Sequence, residues 1–220
     1  MAIDNHPRIR RAAQLARKKP QRETHDRILI VCEGEKTEVS YFDEIRKFYK
    51  LNTAHVKVCN SEYGTSPLQV VQYGIDFCKR TCEWERVFCV IDRDDHDKYE
   101  DALKKAQAHK RKIRNDLKKF IEFKAIPSNP SFEIWLLMHF QRVERFMHRD
   151  EALKTLRDKF ILGYEKGQGK LFEKTRDHLD VAYKNASGAN ARRQRVDLPG
   201  MDNPSTCVDE LVKLLCDLKR

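Results

Sequence analysis

The stretch Ile28-Leu29-Ile30-Val31-Cys32-Glu33-Gly34 sets a pattern that returns at Val87-Phe88-Cys89-Val90-Ile91-Asp92-Arg93-Asp94-Asp95. Each is a short, continuous apolar run that stops on an acidic residue. Such runs, without polar alternation, mark strands buried on both faces, as in a parallel sheet. His55-Val56-Lys57-Val58-Cys59 reads as a second strand and residues 120–126 as a fourth. Helical spacing fills the intervals. Tyr41, Phe42, Ile45, Phe48 and Tyr49 follow Thr37, which is placed to cap their helix. Val70, Val71, Ile75, Phe77 and Cys78 follow Ser66-Pro67, a cap and a first helical residue. Tyr99, Leu103, Ala106, Ile113 and Leu117 predict a helix over 98–119. Strands alternating with helices of this length imply right-handed crossovers and an α/β fold with a mostly parallel four-stranded sheet and flanking helices.

After Pro127 the pattern becomes helical. Asn129-Pro130 predicts the start of a helix carrying Phe132, Ile134, Trp135, Leu136, Leu137 and Phe140. Weaker helical patterns follow at 150–160 and 171–186, residues 187–202 read as an exposed loop, and Asn203-Pro204 predicts the cap of a last helix containing Val208, Leu211, Val212, Leu215 and Leu218. Residues 1–26 carry two prolines, repeated bases and few large apolar side chains, the composition of a flexible basic arm. The chain thus divides into an arm (1–26), an α/β core (27–128) and a helical C-terminal extension packed on that core (129–220).

Composition narrows the function classes. With 35% of its 220 residues charged, the chain offers no apolar stretch near the ~18 residues of a membrane span. The opening MAIDNHPRIRR has no apolar secretory region, so a cytoplasmic location is expected. Seven cysteines, an odd number without a C-x-x-C pair, read as thiols rather than as a disulfide framework or a zinc ribbon. The net charge of +10 is unevenly spread: residues 29–97 hold nine bases against thirteen acids, and residues 98–125 ten against four. An acidic segment beside basic ones suits a protein that holds a cation next to a polyanion.

In a parallel sheet the carboxyl ends of the strands share one rim, where ligands bind. Glu33 and Asp92, about sixty positions apart, are therefore expected side by side, with Asp94 and Asp95 a turn further out. Converging carboxylates either rise in pKa or take a cation, and an all-oxygen ligand set selects Mg²⁺, Mn²⁺ or Ca²⁺ over zinc. The plainer alternative is a polar turn after a strand. Glu35 and Glu38 stand at the next helix start, as further metal ligands or simply as acids favoured at a helix N-terminus. Glu133 faces Leu136, Leu137 and Phe140, so its carboxylate is aimed at the core and needs a partner, either a metal and its water or a neighbouring backbone N–H. His96 could act as a base or a phosphate contact, whereas His139 faces the core side of its helix. Lys104, Lys105, Lys110, Arg111 and Arg114, on the outer face of the 98–119 helix, offer salt-sensitive contacts to a nucleic-acid backbone. Lys166 and Lys170, in the loop broken by Gly163, Gly167 and Gly169, are candidate transition-state cations or solvated loop charges.

A Glu-Gly after the first strand and an Asp-x-Asp after the third resemble the Toprim domain of topoisomerases, primases and OLD-type nucleases. Four segments resemble the RloB family more closely: residues 31–38 (VCEGEKTE), 92–95 (DRDD), 126–140 (IPSNPSFEIWLLMHF) and 203–206 (NPST). That likeness runs over about residues 27–218, and the 126–140 string is its most specific part. It implies a Toprim/Rossmann-like fold and a Mg²⁺-dependent nuclease, with Mn²⁺ able to substitute, acting on RNA such as tRNA or on DNA in bacterial anti-phage defence. It also implies an AAA-type ATPase partner. By position, Glu33 corresponds to the Toprim glutamate, and Asp92 and Asp94 to its Asp-x-Asp. OLD-type nucleases place an aspartate four residues after that glutamate; here Thr37 stands in its place, with Glu38 adjacent. Two readings from other classes stay open. One is a catalytically silent subunit that binds nucleic acid or the ATPase. The other is a receiver-like phosphoacceptor, which also carries acids after its first and third strands.

Overall fold

A computed structural model describes residues 26–94, 97–191 and 202–218. The arm, apart from Asp26, lies outside the described residues, as do Asp95 and His96. Among the described residues the first half alternates as expected: β1 (Ile28–Cys32), α1 (Thr37–Phe48), β2 (Val56–Asn60), α2 (Pro67–Thr81), β3 (Arg86–Asp92), α3 (Tyr99–His109) and β4 (Glu122–Asn129). The second half runs α4 (Glu133–Met138), α5 (Arg149–Thr155) with a π turn at Leu156–Phe160, α6 (Leu171–Thr175), α7 (Leu179–Ala191), β5 (Ser205–Thr206) and α8 (Val208–Asp217). No helix here is long and apolar enough to cross a membrane.

The sheet order is β2-β1-β3-β4-β5. β1 pairs in parallel with β2 and β3, β3 pairs in parallel with β4, and β5 runs antiparallel to the end of β4. The sheet is thus five-stranded rather than four-stranded. Two residues cannot display a strand period, and the Asn203-Pro204 pair that reads as a helix cap instead precedes β5. Asn129 is likewise no cap: it closes β4 opposite Ser205, and α4 begins only at Glu133.

Alternation along the strands builds two cores. Ile28, Ile30 and Cys32 of β1, with Phe88 and Val90 of β3, face α1 and the helices from α4 onward. Leu29 and Val31, with Val87, Cys89 and Ile91, face α2 and α3. The helices after residue 132 share the first core with α1, so they complete one face of the sheet. Trp135 at its centre is fully buried, and its indole N–H donates to the Tyr41 hydroxyl at 2.9 Å, which removes the cost of burying both polar groups. α2 starts as read: Ser66 is its N-cap, Pro67 its first residue, and Gln69 Oε1 accepts the Ser66 N–H.

Several boundaries differ from the sequence reading. α1 has Lys36, not Thr37, at its N-cap. α3 stops at His109 instead of running to 119, because Arg111 takes a left-handed φ of 61° and the chain turns back there. Lys110, Arg111 and Arg114 therefore lie beyond the helix. Residues 187–191 belong to α7 rather than to a loop, and 192–201 are outside the described residues.

Gly74 of α2 packs directly on the sheet: a Cβ there would stand 2.8 Å from Cys89 Sγ. Gly74→Val is expected to lower stability by about 1–3 kcal/mol through overpacking, read by urea unfolding, and adding Cys89→Ala is expected to recover part of that loss.

Candidate metal and substrate cleft

Parallel pairing of β1 with β3 puts Cys32 opposite Val90, so the residues that follow both strands emerge at one rim. The Glu33 N–H donates to the Val90 carbonyl at 3.1 Å, and Glu33 Oε2 accepts the Asp92 N–H at 3.0 Å. One acid's side chain is thereby fastened to the other's backbone. Asp92 continues the Phe88–Val90 face of β3, the side on which α1 and α4 pack. Glu38, in the first turn of α1, and Glu133, at the start of α4, are both buried there.

Glu33, Glu35, Glu38, Asp92, Asp94 and Glu133 together line a cleft of about 440 Å³, with Lys36, Arg149, Lys166 and Thr65 on its walls. The expected convergence of Glu33, Asp92 and Asp94 is present, and it extends to Glu38 and Glu133. Gly34 has a physical role in it. A Cβ at that position would lie 2.1 Å from Glu38 Oε2, so the glycine leaves room for the carboxylate of the next helix.

The acids differ in how they are compensated. Glu133 Oε2 accepts the Ser131 hydroxyl at 2.5 Å; its Oε1 accepts the Tyr164 hydroxyl at 3.4 Å and faces Lys166 Nζ at 3.8 Å. Its partners are thus side chains rather than a backbone N–H. Asp94, in a left-handed conformation with φ 36°, is ion-paired to Arg149 at the start of α5. Asp92 Oδ1 is buried and has no hydrogen-bond partner among the described residues. Burial pushes the Glu33 carboxyl up to about 8, and the charges of Asp94 and Glu38 add to the rise. Burial also drives Asp92 well above the usual carboxylate range, reinforced by Glu38, Glu33 and Glu133. Glu38 rises for the same reasons, with Glu133 the chief neighbouring charge. Among the described residues, no three His, Cys, Asp or Glu side chains are drawn together as a ready-made metal shell.

The remaining expected site residues divide. Lys166 lies on the cleft wall, carried there by the 161–170 segment, which is tied to α1 where the Gly167 N–H donates to Thr37 Oγ1 at 2.8 Å. That contact is the use the fold makes of Thr37. Lys170 does not reach the cleft: it is the left-handed N-cap of α6, and its N–H donates to Glu44 at 2.5 Å. Lys104 is exposed and paired with Glu100, and Lys105 is half-buried in α3. Lys110, Arg111 and Arg114 sit at the opposite rim, where Asp116 N–H donates to Cys82 O and Glu122 N–H to Glu85 O, just before β3 and β4 begin. Arg149 and Tyr164, missed in the sequence, stand just before the weak 150–160 helical pattern and in the loop after it, where no period marks either residue. His139 is buried as read, and burial lowers it to about 4.

A protein-family model described as RloB-like protein matches residues 28–215. No curated protein and no solved structure matches the chain.

Two groups give stability an opposed pH dependence. Glu33, raised from 4.5 to about 8, contributes stability that is complete below pH 4.5 and is lost as pH rises through 8. His139, lowered from 6.5 to about 4, contributes stability that is present above pH 6.5 and is lost as pH falls through 4. The two slopes oppose each other between 4.5 and 6.5, which leaves a net decline from 6.5 to 8. Thermal melts in chelator are expected to show that decline, to which the raised Asp92 and Glu38 add with the same sign, and Glu33→Gln is expected to make it shallower, with a gain on the order of 2 kcal/mol at pH 8.

Proposed function

The chain belongs to the RloB-like family, and from that premise we propose that it is a metal-dependent nuclease with a Toprim/Rossmann-like core, hydrolysing phosphodiester bonds of RNA or DNA. The observation that carries this reading is the buried, mutually repelling carboxylate group of Glu33, Glu38 and Asp92, in which Asp92 Oδ1 has no hydrogen-bond partner among the described residues. Such a group is costly unless a cation joins it. Its all-oxygen character fits Mg²⁺, with Mn²⁺ as a substitute.

Glu33 and Asp92 would hold the ion, with Glu38 beside them; Asp94 contributes only on leaving Arg149. When bound, the ion supplies Lewis-acid stabilisation of the phosphodiester and leaving oxygens. The protein's own part is orientation and charge. The Asp92 N–H fixes the Glu33 carboxylate, and Gly34 admits Glu38. Lys166, held near Glu133 and half-exposed on the wall, is placed to attract a substrate phosphate. A role in anti-phage defence and an AAA-type ATPase partner are supported by the family likeness alone.

A second reading, a catalytically silent subunit that binds nucleic acid or the ATPase, is favoured by one observation: the Arg149–Asp94 ion pair occupies an acid that the nuclease needs. One experiment separates the two. Incubated with tRNA, single-stranded and duplex substrates in Mg²⁺ or Mn²⁺, the wild type is expected to cleave at least one, and Glu33→Gln and Asp92→Asn to cleave it at least about 100-fold more slowly, since each removes a charge that holds the ion. Equal cleavage by all three proteins would falsify the site, and no cleavage of any substrate by the wild type would favour the silent subunit.

A further inference from the structure

The segment after α3, KRKIRNDLKKF (110–120), holds six bases and one acid. The acid, Asp116, is consumed by Arg27, whose guanidinium reaches it at 2.8 Å and 3.2 Å. The segment is built rather than loose. Ile113 and the neighbouring Ile121 are buried and anchor both ends. Asn115 is buried between them: its Nδ2 donates to Glu85, and its Oδ1 accepts the N–H groups of Leu117 and Lys119. The Arg114 guanidinium stacks over the Phe120 ring at 3.8 Å and donates to the Lys118 carbonyl. Lys110, Arg111, Lys118 and Lys119 are all exposed. Like charges held close on a rigid knuckle repel one another, a multiply charged anion relieves that repulsion, and rigidity reduces the ordering cost of binding it.

The knuckle lies at the amino-terminal rim of the sheet, whereas the acidic cleft lies at the carboxyl-terminal rim. The seven residues of β3 separate the two rims by about 20 Å, at roughly 3.3 Å per residue. We propose that the 110–120 knuckle is an exosite for the phosphate backbone of a nucleic acid whose far end reaches the cleft, so that a base-stacked substrate spanning both is longer than about six nucleotides at roughly 3.4 Å per phosphate. This rests on the nuclease reading only for what happens in the cleft; binding at the knuckle does not depend on it.

The test uses the full chain in chelator at fixed salt, with a 24-nucleotide RNA, a 24-base-pair DNA duplex and a 5-nucleotide RNA as probes. Replacing Lys110, Arg111, Lys118 and Lys119 together by Ala is expected to weaken binding of at least one 24-mer by tenfold or more and to make its salt dependence shallower. The 5-mer, which offers the knuckle fewer phosphates, is expected to bind more weakly than the 24-mers and to lose less affinity in the variant. Two single variants, Lys110→Ala and Lys119→Ala, each with an unchanged melting temperature, guard against misfolding of the quadruple variant and are expected to show part of the loss. Unchanged binding of both 24-mers by all these variants overturns the exosite, as does failure of the wild type to bind either 24-mer. If the knuckle variants lose binding in chelator while the wild type, supplied with Mg²⁺ or Mn²⁺, cleaves nothing, the nuclease reading fails and the exosite stands.

Discussion

The organisation of the molecule depends on the parallel hydrogen-bonded neighbours β1 and β3. Because Cys32 stands opposite Val90, Glu33 and Asp92 leave the sheet side by side, and the bond from the Asp92 N–H to Glu33 Oε2 prevents the two acids from turning apart. Water relieves them little, since both are buried apart from the edge each presents to the cleft. The fold thus holds negative charge at one rim against its own electrostatics. Elsewhere it places acids conventionally, at helix N-termini and in exposed ion pairs, where each contributes little.

The rest of the cleft follows from which face of the sheet is covered by what. Asp92 points toward the face of α1 and α4, so the first turn of α1 delivers Glu38 and the first turn of α4 delivers Glu133. Both are short lateral additions to a pair already fixed by strand register. The 161–170 segment then crosses this end of α1, with Gly167 packed so closely on Lys36 that a Cβ would lie 2.9 Å from its side chain. The left-handed φ of 85° at that glycine is one a residue with a Cβ rarely adopts. The segment brings Tyr164 and Lys166 to Glu133.

What was legible in the sequence was whatever carried a period or a sharp punctuation. β1 and β3 showed as apolar runs cut off by acids, and the pairing of Glu33 with Asp92 followed from βαβ geometry without any contact information. Glu133 stood out as a carboxylate on an apolar helical face. The failures have physical causes. The apolar spacing of Ile113 and Leu117 mimics a continuation of α3, yet Ile113 is buried in a turn and Leu117 is exposed; tertiary hydrogen bonds to Asn115 and Glu85 override the local period. The two asparagine–proline pairs look like helix caps, but the pairing of β4 with β5 claims Asn129, and Asn203 accepts the Met147 N–H and donates to the Met147 carbonyl. The ion pair of Arg149 with Asp94 joins residues 55 positions apart, and no local pattern announces such a contact.

The distribution of charge between the two halves of the chain gives the helical region a purpose beyond packing. Five of the six acids that line the cleft come from residues 33–94, whereas two of its three cations, Arg149 and Lys166, come from residues after α4. The α/β half alone would expose Glu33, Glu38 and Asp92 with only Lys36 nearby. The helical half excludes water from them, which raises their cost, and in the same step supplies countercharge to Asp94 and Glu133. Asp92, whose Oδ1 has no hydrogen-bond partner among the described residues, receives no such ion pair. A cleft intended only to be stable would pair each of its buried charges. Here the ion pairs fall on Asp94 and Glu133, so the electrostatic demand is concentrated on the Glu33–Asp92 pair.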